Sequence, residues 1–334
     1  MHQLTIKDLA SGGVIVNYHC VSRCGHCLYN CSPQRTKAYL DAALAQKIFT
    51  RILELGCRSV HIGGGEPLLK PDMLTEVLLA ARNAGVAIDY VETNSAWYVN
   101  PKAAETTLRD LHCAGVRTLL ISISPFHNAH IPYDRVSGVI DACRRVGMAI
   151  FPWTNAFVKD LTRLETCQTH AMDEFEAVFG PDYLQRIPDR YWIHLGGRAL
   201  ETFGAIYPRY TVTDIVNRSP LNCARALSDT GHFHIDLQGR YIPGLCAGLA
   251  IAMEDLGGPL PVGAYPLLDR LTSSGIQGLF ELAHREYGYR PQHDAFINHC
   301  DLCTDIRHFL WQHQADRFPE LAPNGFYAEI SVRS

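Results

Sequence analysis

Short apolar runs alternate with amphipathic helical segments through the first two thirds of this chain of 334 residues. The runs predict strands over 13–18, 59–62, 86–91, 116–122, 148–153 and 191–195, and the amphipathic segments predict helices over 41–55, 71–83, 101–113, 135–145 and 161–179. The first four helices are each followed by a glycine able to end a helix, namely Gly56, Gly85, Gly115 and Gly147. Strands separated by helices predict an α/β fold with a parallel sheet, either open or closed into a barrel.

Three cysteines directly after the first predicted strand indicate a metal cluster. Cys20, Cys24 and Cys27 are spaced C-x3-C-x2-C. Thiolates in this number can hold three irons of a four-iron four-sulfur cluster and leave the fourth iron open, whereas electron-carrying clusters have four protein ligands. An open iron indicates chemistry at the cluster.

A glycine-rich segment follows the second predicted strand. It reads His61-Ile-Gly-Gly-Gly-Glu-Pro67 and begins thirty-four residues after Cys27. Gly63, Gly64 and Gly65 allow the backbone to approach a ligand closely, and Glu66 can accept hydrogen bonds from an ammonium group.

The cysteine and glycine motifs together resemble those of the radical S-adenosylmethionine (radical SAM) superfamily. In that family the amino and carboxylate groups of S-adenosylmethionine chelate the open iron. The resemblance implies a partial six-unit β/α barrel, here residues 1–214, with the cofactor at the carboxyl ends of the strands. The alternative is a structural zinc site completed by His26 or Cys31, which would leave the glycine segment unexplained.

Further cofactor contacts are implied at the ends of the strands. By resemblance, Asn94, Ser122 and Ser124 contact the ribose and the cofactor carboxylate, and Tyr29 packs near the adenine. Turn formation and helix capping are the alternatives for the polar three. Arg198 can pair with a carboxylate of cofactor or substrate, with a surface salt bridge as the alternative. His127 can position substrate or relay a proton, with a structural role in its loop as the alternative.

A second cysteine set lies in the loop-rich part of the chain, where we place a module over residues 215–334. It consists of Cys223, Cys246, Cys300 and Cys303, and it resembles the Twitch or shortened SPASM extension of radical SAM enzymes. The resemblance implies one auxiliary 4Fe-4S cluster with four thiolate ligands and no open position. A structural zinc ion, which needs the same ligand count, is the alternative.

Composition and charge limit the kinds of molecule that this protein is expected to bind and the compartment in which it is expected to act. The formal net charge is −4 and Lys and Arg form no dense run, which disfavours nucleic acid. The longest apolar run, near 245–253, is too short for a membrane span, and the start lacks an apolar signal segment. We expect a cytoplasmic protein whose twelve cysteines serve metal ligation more than disulfides.

The resemblance implies an enzyme that cleaves S-adenosylmethionine reductively, with an electron from a flavodoxin-type or ferredoxin-type donor. The resulting 5′-deoxyadenosyl radical would abstract hydrogen from a substrate C–H bond, with oxidation or crosslinking assisted by the auxiliary cluster. We favour peptide maturation. The alternatives are a small-molecule dehydrogenase, an epimerase in which Cys113, Cys143 or Cys167 returns a hydrogen atom, and a non-enzymatic zinc or iron–sulfur scaffold or electron carrier.

Overall fold

A mixed sheet of eight strands organises the part of the chain that the computed structural model describes, residues 3–152 and 155–330. The strands are β1 (Gly12–Ile15), β2 (Ser59–Gly63), β3 (Ala87–Thr93), β4 (Thr118–Ile121), β5 (Ala149–Pro152), β6 (Phe233–Asp236), β7 (Arg240–Ile242) and β8 (Ile251–Ala252). Their order is β5-β4-β3-β2-β1-β6-β7-β8. Pairing is parallel from β5 to β6 and antiparallel from β6 to β8, which confirms the predicted α/β class.

Helices connect the parallel strands and cover the sheet. In the described ranges they are α1 (Ala42–Glu54), α2 (Pro71–Ala84), α3 (Pro101–Cys113), α4 (Pro125–Asn128), α5 (Tyr133–Val146), α6 (Val158–Leu161), α7 (Met172–Phe179), α8 (Tyr183–Arg190), α9 (Ala199–Thr202), α10 (Val212–Arg218), α11 (Ala224–Leu227), α12 (Pro266–Tyr287), α13 (His299–Gln314) and α14 (Asn324–Ala328).

The ends of the early helices follow local chemistry. The Asp41 carboxylate accepts a hydrogen bond from the Leu44 N–H and caps α1. Gly85 and Gly147 take the left-handed conformation at the ends of α2 and α5, with φ of 81° and 71°. The inner face of α1, with Ile48, Phe49 and Ile52, is fully buried. These predicted units are therefore confirmed as β/α units.

Two predicted elements were wrong. Residues 191–195 form no strand; Trp192, Ile193 and His194 instead line a cavity described below. The predicted helix over 161–179 is interrupted between α6 and α7, where poor helix formers such as Thr166 and Thr169 cluster.

The end of the fifth predicted strand is tested only in part. Strand β5 ends at Pro152, and the predicted continuation through Trp153 lies outside the described residues, as does Thr154.

The sixth parallel strand, β6, comes from the C-terminal part of the chain. It pairs with β1 and forms an antiparallel hairpin with β7, which turns at Gly239 with φ of 73°. The C-terminal part thus extends the same sheet, and the domain boundary between residues 214 and 215 stays a prediction. No helix within the described ranges has the length and apolarity needed to cross a membrane.

Candidate functional site

A cavity of about 390 Å³ lies at the carboxyl ends of β1 to β4 and extends along the sheet face towards β6. This is where parallel α/β sheets place their ligands. It gathers many of the residues singled out in the sequence: Cys20, Cys24, Cys27, Tyr29, Gly64, Gly65, Asn94, Ser122 and His127. Gly63, Glu66, Ser124 and Arg198 are not among its lining residues.

Backbone and side-chain N–H groups point at the sulfurs of the cysteine loop. The Ser22 N–H and the Asn94 side-chain amide both donate to Cys20 Sγ, each at 3.4 Å. The Cys31 N–H donates to Cys27 Sγ at 3.4 Å. Such bonds stabilise thiolates and tune the sulfurs of iron–sulfur clusters.

Burial and nearby charge change the pKa values of the three thiols in this loop in different directions. Burial raises the pKa of Cys20 to about 12 and also raises that of Cys24. Hydrogen bonding from the Cys31 thiol lowers the pKa of Cys27, against the effect of its burial, and the Arg198 charge lowers it further. The loop therefore combines one thiol inclined to ionise with two that burial holds protonated.

Arg198 does not line the cavity, and it holds the cysteine loop in place through hydrogen bonds to the loop's backbone. Its Nε donates to the Cys24 carbonyl at 3.0 Å, and its guanidinium also donates to the Cys31 carbonyl. The carboxylate of Glu329 lies 3.6 Å from the same guanidinium and accepts a 2.6 Å hydrogen bond from Ser32. The carboxylate beside Arg198 therefore belongs to the chain itself, whereas the sequence predicted a carboxylate of the cofactor or substrate; in the structure Arg198 positions the loop.

The glycine segment packs against the start of the cysteine loop with no room for side chains. A Cβ on Gly65 would lie 2.1 Å from the His19 carbonyl oxygen, and one on Gly64, whose φ is 145°, 2.5 Å from that of Asn17. The Asn17 side chain accepts from the Gly65 N–H at 2.9 Å and donates to the Glu66 carbonyl at 3.0 Å. Sequence reasoning missed Asn17, which follows β1 by two residues.

The Glu66 side chain is completely buried and bridges the ends of two strands. Its carboxylate accepts hydrogen bonds from the Thr93 hydroxyl at 3.0 Å, the Asn94 N–H at 2.6 Å and the Leu68 N–H at 3.0 Å. Burial raises the pKa of Glu66 to about 7 despite these donors. The structure thus places this carboxyl group behind the cavity, where it fixes the segment carrying Asn94.

Three more predicted residues lie at the cavity or its edge. Ser122 lines it, while Ser124 caps α4 and its hydroxyl lies 2.7 Å from His127 Nδ1. Burial lowers the pKa of His127 well below its usual value, so this ring stays neutral. Its contact with Ser124 serves the structural role weighed for both residues, and its cavity position keeps the positioning role open.

The three thiols considered as hydrogen-atom donors are not brought to the cavity. Cys113 is exposed at the end of α3, Cys143 is buried inside α5, and Cys167 is exposed in the loop before α7. None belongs to the residues that line the cavity.

A histidine cluster that the sequence did not suggest forms part of the same region. His61 on β2, His232 just before β6 and His234 on β6 bring their ligand nitrogens within 4.8 Å of one another. Tyr29, expected near the adenine, places its hydroxyl 2.8 Å from His234 Nδ1. Alternation along a strand puts His232 and His234 on one face, which is the signal that could have been noticed.

The four C-terminal cysteines also converge. Each of Cys223, Cys246 and Cys300 interacts electrostatically with Cys303, and burial raises the pKa of Cys246 to about 11. Cys300 and Cys303 lie in the first turn of α13, whose N-cap Asn298 accepts from the Cys300 N–H at 2.9 Å. The fully buried Arg307 stands beside the thiols, and its charge opposes the rise in the pKa of Cys246.

A family model matches the segment that contains both motifs. Residues 14–154, which span β1 to β5 with the cysteine and glycine motifs, match the model of the Radical SAM superfamily. The match covers less than half of the chain and agrees with the resemblance found in the sequence.

Individual relatives are more distant. A segment of 67 residues is 33% identical to the PqqA peptide cyclase of Gluconobacter oxydans (strain 621H), and it covers 20% of this chain and 19% of that protein. The chain therefore matches about a fifth of the length of this curated relative.

Solved structures show low overall similarity. Streptococcus suis SuiB is 12% identical with a TM-score of 0.34, over 72% of this chain and 61% of that one. The structure of anSMEcpe with bound AdoMet and Kp18Cys peptide is 10% identical with a TM-score of 0.39, over 92% and 98%.

Proposed function

We propose that this chain is a radical SAM enzyme whose Cys20, Cys24 and Cys27 hold a 4Fe-4S cluster, with S-adenosylmethionine in the adjoining cavity. When bound and reduced by one electron from a flavodoxin-type or ferredoxin-type donor, these groups supply methionine and a 5′-deoxyadenosyl radical that takes hydrogen from a substrate C–H bond. The main support for the proposal is that the three cysteines line one cavity together with Gly64, Gly65 and Asn94.

The residues present fit the cluster. Three N–H groups already point at the sulfurs of Cys20 and Cys27, and the buried Arg198 guanidinium supplies positive charge beside the loop. Cluster sulfurs accept hydrogen bonds of this kind, and a nearby cation favours the anionic state of their ligands.

The residues also fit the cofactor. Gly64 and Gly65 line the cavity, and a hydrogen bond from the Gly65 N–H to Asn17 fixes their backbone. Polar backbone groups of this segment can therefore approach the methionine end of S-adenosylmethionine. Ser122 and Asn94 add hydroxyl and amide groups to the lining of the cavity.

For the C-terminal part, over residues 215–334, we propose one auxiliary 4Fe-4S cluster held by Cys223, Cys246, Cys300 and Cys303. The support is the mutual proximity of the four thiols and the buried cation of Arg307, which donates to the Ala247 carbonyl at 2.9 Å. A cluster with four thiolates has no open iron and would transfer electrons.

For the substrate we propose a peptide. The support is the 33% identity, over 67 residues, to a protein named as a PqqA peptide cyclase. A small metabolite is the competing substrate class.

The experiment is anaerobic reconstitution followed by counting of iron and sulfide and assay of 5′-deoxyadenosine under a strong reductant. We expect about eight irons per chain if both sites take four-iron clusters. Cys24→Ala should abolish nucleoside release, whereas the matched control Cys57→Ala, a buried thiol outside the cavity, should retain it.

Retention of iron in Cys31→Ala would show that three cysteines suffice for the first cluster. Binding of zinc with no iron uptake, or iron without nucleoside release, would contradict the proposal. The substrate class is then tested by mass spectrometry of candidate peptides after turnover. A peptide that loses two hydrogen atoms supports oxidation or crosslinking, and stimulation of nucleoside release by a metabolite alone supports the competing class.

A further inference from the structure

We propose that His61, His232 and His234 form a separate binding site for a divalent transition-metal cation such as Zn²⁺ or Fe²⁺. Their ligand nitrogens all lie within 4.8 Å of one another, and Nε2 of His61 is 3.0 Å from Nε2 of His234. Metal–nitrogen bonds of about 2.0–2.1 Å place two ligand nitrogens about 3.3 Å apart in a tetrahedral site. The spacing is thus close to what one shared ion requires.

The strand register creates the cluster. Gly13 of β1 is paired with His61 on one side and with His234 on the other, so both imidazoles flank a position with no side chain. A Cβ on Gly13 would lie 2.3 Å from His61 Nε2. His232, two residues before His234, projects on the same face, and its ring stacks on His61 with centroids 5.3 Å apart.

Each buried imidazole has a partner suited to orient a metal ligand. The Tyr29 hydroxyl lies 2.8 Å from His234 Nδ1, and His61 is hydrogen-bonded to the backbone of Gly12. Metal-binding histidines commonly use their second nitrogen in this way. Because a hydroxyl can donate or accept, Tyr29 supports the tautomer of His234 that frees Nε2 for a cation.

One carboxyl group lies beside the three histidines. An oxygen of Glu92 on β3 is 3.9 Å from His61 Nε2; burial raises the pKa of this group to about 7, and a bound cation would favour its ionised form. Burial lowers the pKa of all three histidines, that of His61 to about 3, so the rings are neutral and able to ligate. Imidazole with one carboxylate suits zinc or ferrous iron more than magnesium or calcium.

The site borders the cavity already described. His232, His234 and Glu92 belong to the residues that line it, and His61 lies behind them. A cation held there would be positioned to bind a donor atom of a molecule in the cavity, such as a carboxylate or imidazole. The inference depends on the strand geometry and is independent of the proposed cluster chemistry.

The test uses the full chain, first loaded with iron and sulfide so that the cysteine sites are filled, then titrated with Zn²⁺ alone and desalted. We expect one retained zinc per chain, with a coordination shell of nitrogen and oxygen at about 2.0–2.1 Å in X-ray absorption. The double variant His61→Gln/His234→Gln should bind zinc at least about ten-fold more weakly.

Two further variants distinguish loss of the metal site from misfolding and from a general effect of removing a histidine. His232 is exposed, so His232→Gln should fold normally and still weaken zinc binding. His194→Gln, which removes a histidine from the cavity wall outside the trio, should leave zinc binding unchanged. If cluster loading fails, a nitrogen-ligated zinc in the unloaded chain still supports the site.

Absence of retained zinc, a sulfur-containing shell, or equal retention by wild type and double variant would overturn the assignment.

Discussion

The Nε2 atoms of His61 and His234 lie 3.0 Å apart on either side of Gly13, which separates their strands in the sheet. Without a metal ion, one of these two nitrogens donates a proton and the other accepts it; binding of a cation between them would displace that proton. The glycine of the central strand is therefore as important to the cluster as the histidines themselves.

Gly13→Ala should destabilise the protein and separate the two imidazoles. The new methyl group would meet His61 Nε2 at 2.3 Å, and overpacking of this kind costs about 1–3 kcal/mol. Urea unfolding measures the loss, and zinc retention measures the separation. Gly258→Ala is the matched control, because no atom lies within 4 Å of a Cβ there, and an equal effect of both variants would refute the steric explanation.

The contribution of Glu66 to stability should fall as the pH rises from 5 to 8, opposite in direction to the contribution of the buried histidines, whose pKa values burial lowers. The pKa of Glu66 is raised from 4.5 to about 7 by burial, so the folded state holds a proton that the unfolded state has released. The contribution of Glu66 is favourable below its unfolded pKa and is lost as the pH passes the folded value, by about 3 kcal/mol in total. Urea unfolding across this range measures the slope.

The difference in stability between wild type and Glu66→Gln should show that slope, because the amide does not titrate. The variant should also be less stable at pH 5 by about 1–3 kcal/mol, since its NH₂ group replaces one oxygen and faces either the Asn94 N–H or the donors of Leu68 and Thr93. Glu254→Gln, which alters an exposed carboxylate, is the control. An unchanged slope in Glu66→Gln would assign the pH dependence to other groups.

Arg198→Met should loosen the cysteine loop. The change removes donors to the Cys24 and Cys31 carbonyls and leaves Glu329 without its buried partner, which costs about 3–5 kcal/mol. We expect lower iron retention after reconstitution along with reduced stability. Arg144→Met, which breaks an exposed pair with Asp141, should change neither measurement.

Arg307→Met should weaken metal binding by the C-terminal cysteines while sparing the first set. The guanidinium charge counteracts the burial that raises the pKa of Cys246, so its loss makes the thiolate state harder to reach. The rate at which a chelator removes iron should rise for about half of the iron, that of the second cluster. Arg285→Met, on the exposed side of α12, is the control.

Local patterns predicted the fold well where local forces decide it. The helix ends at Gly85 and Gly147 follow from the backbone freedom of glycine, and the capped start of α1 follows from Asp41. The apolar and aromatic residues 191–195 suggested a strand, but their surroundings in the folded chain make them a cavity wall. The actual partner of β1 is β6, more than 200 residues away in sequence.

The candidate site, too, could be predicted only where its residues lie close together in the sequence. The spacing of Cys20, Cys24 and Cys27 is visible in the sequence because all three occupy one short loop. The histidine trio is not visible, because it depends on the register of β2 and β6 against β1. Arg198 was recognised as a partner for a carboxylate, yet that carboxylate, Glu329, could be identified only from the folded chain.

The hydrogen bond between Ser32 and Glu329 joins positions 297 residues apart in the chain. During synthesis on the ribosome, the loop containing Cys20, Cys24 and Cys27 emerges well before Arg198 and before this distant carboxylate. We therefore expect a nascent chain to expose these thiols until Glu329 has been synthesised, and iron loading to become stable only after the segment around Glu329 has docked.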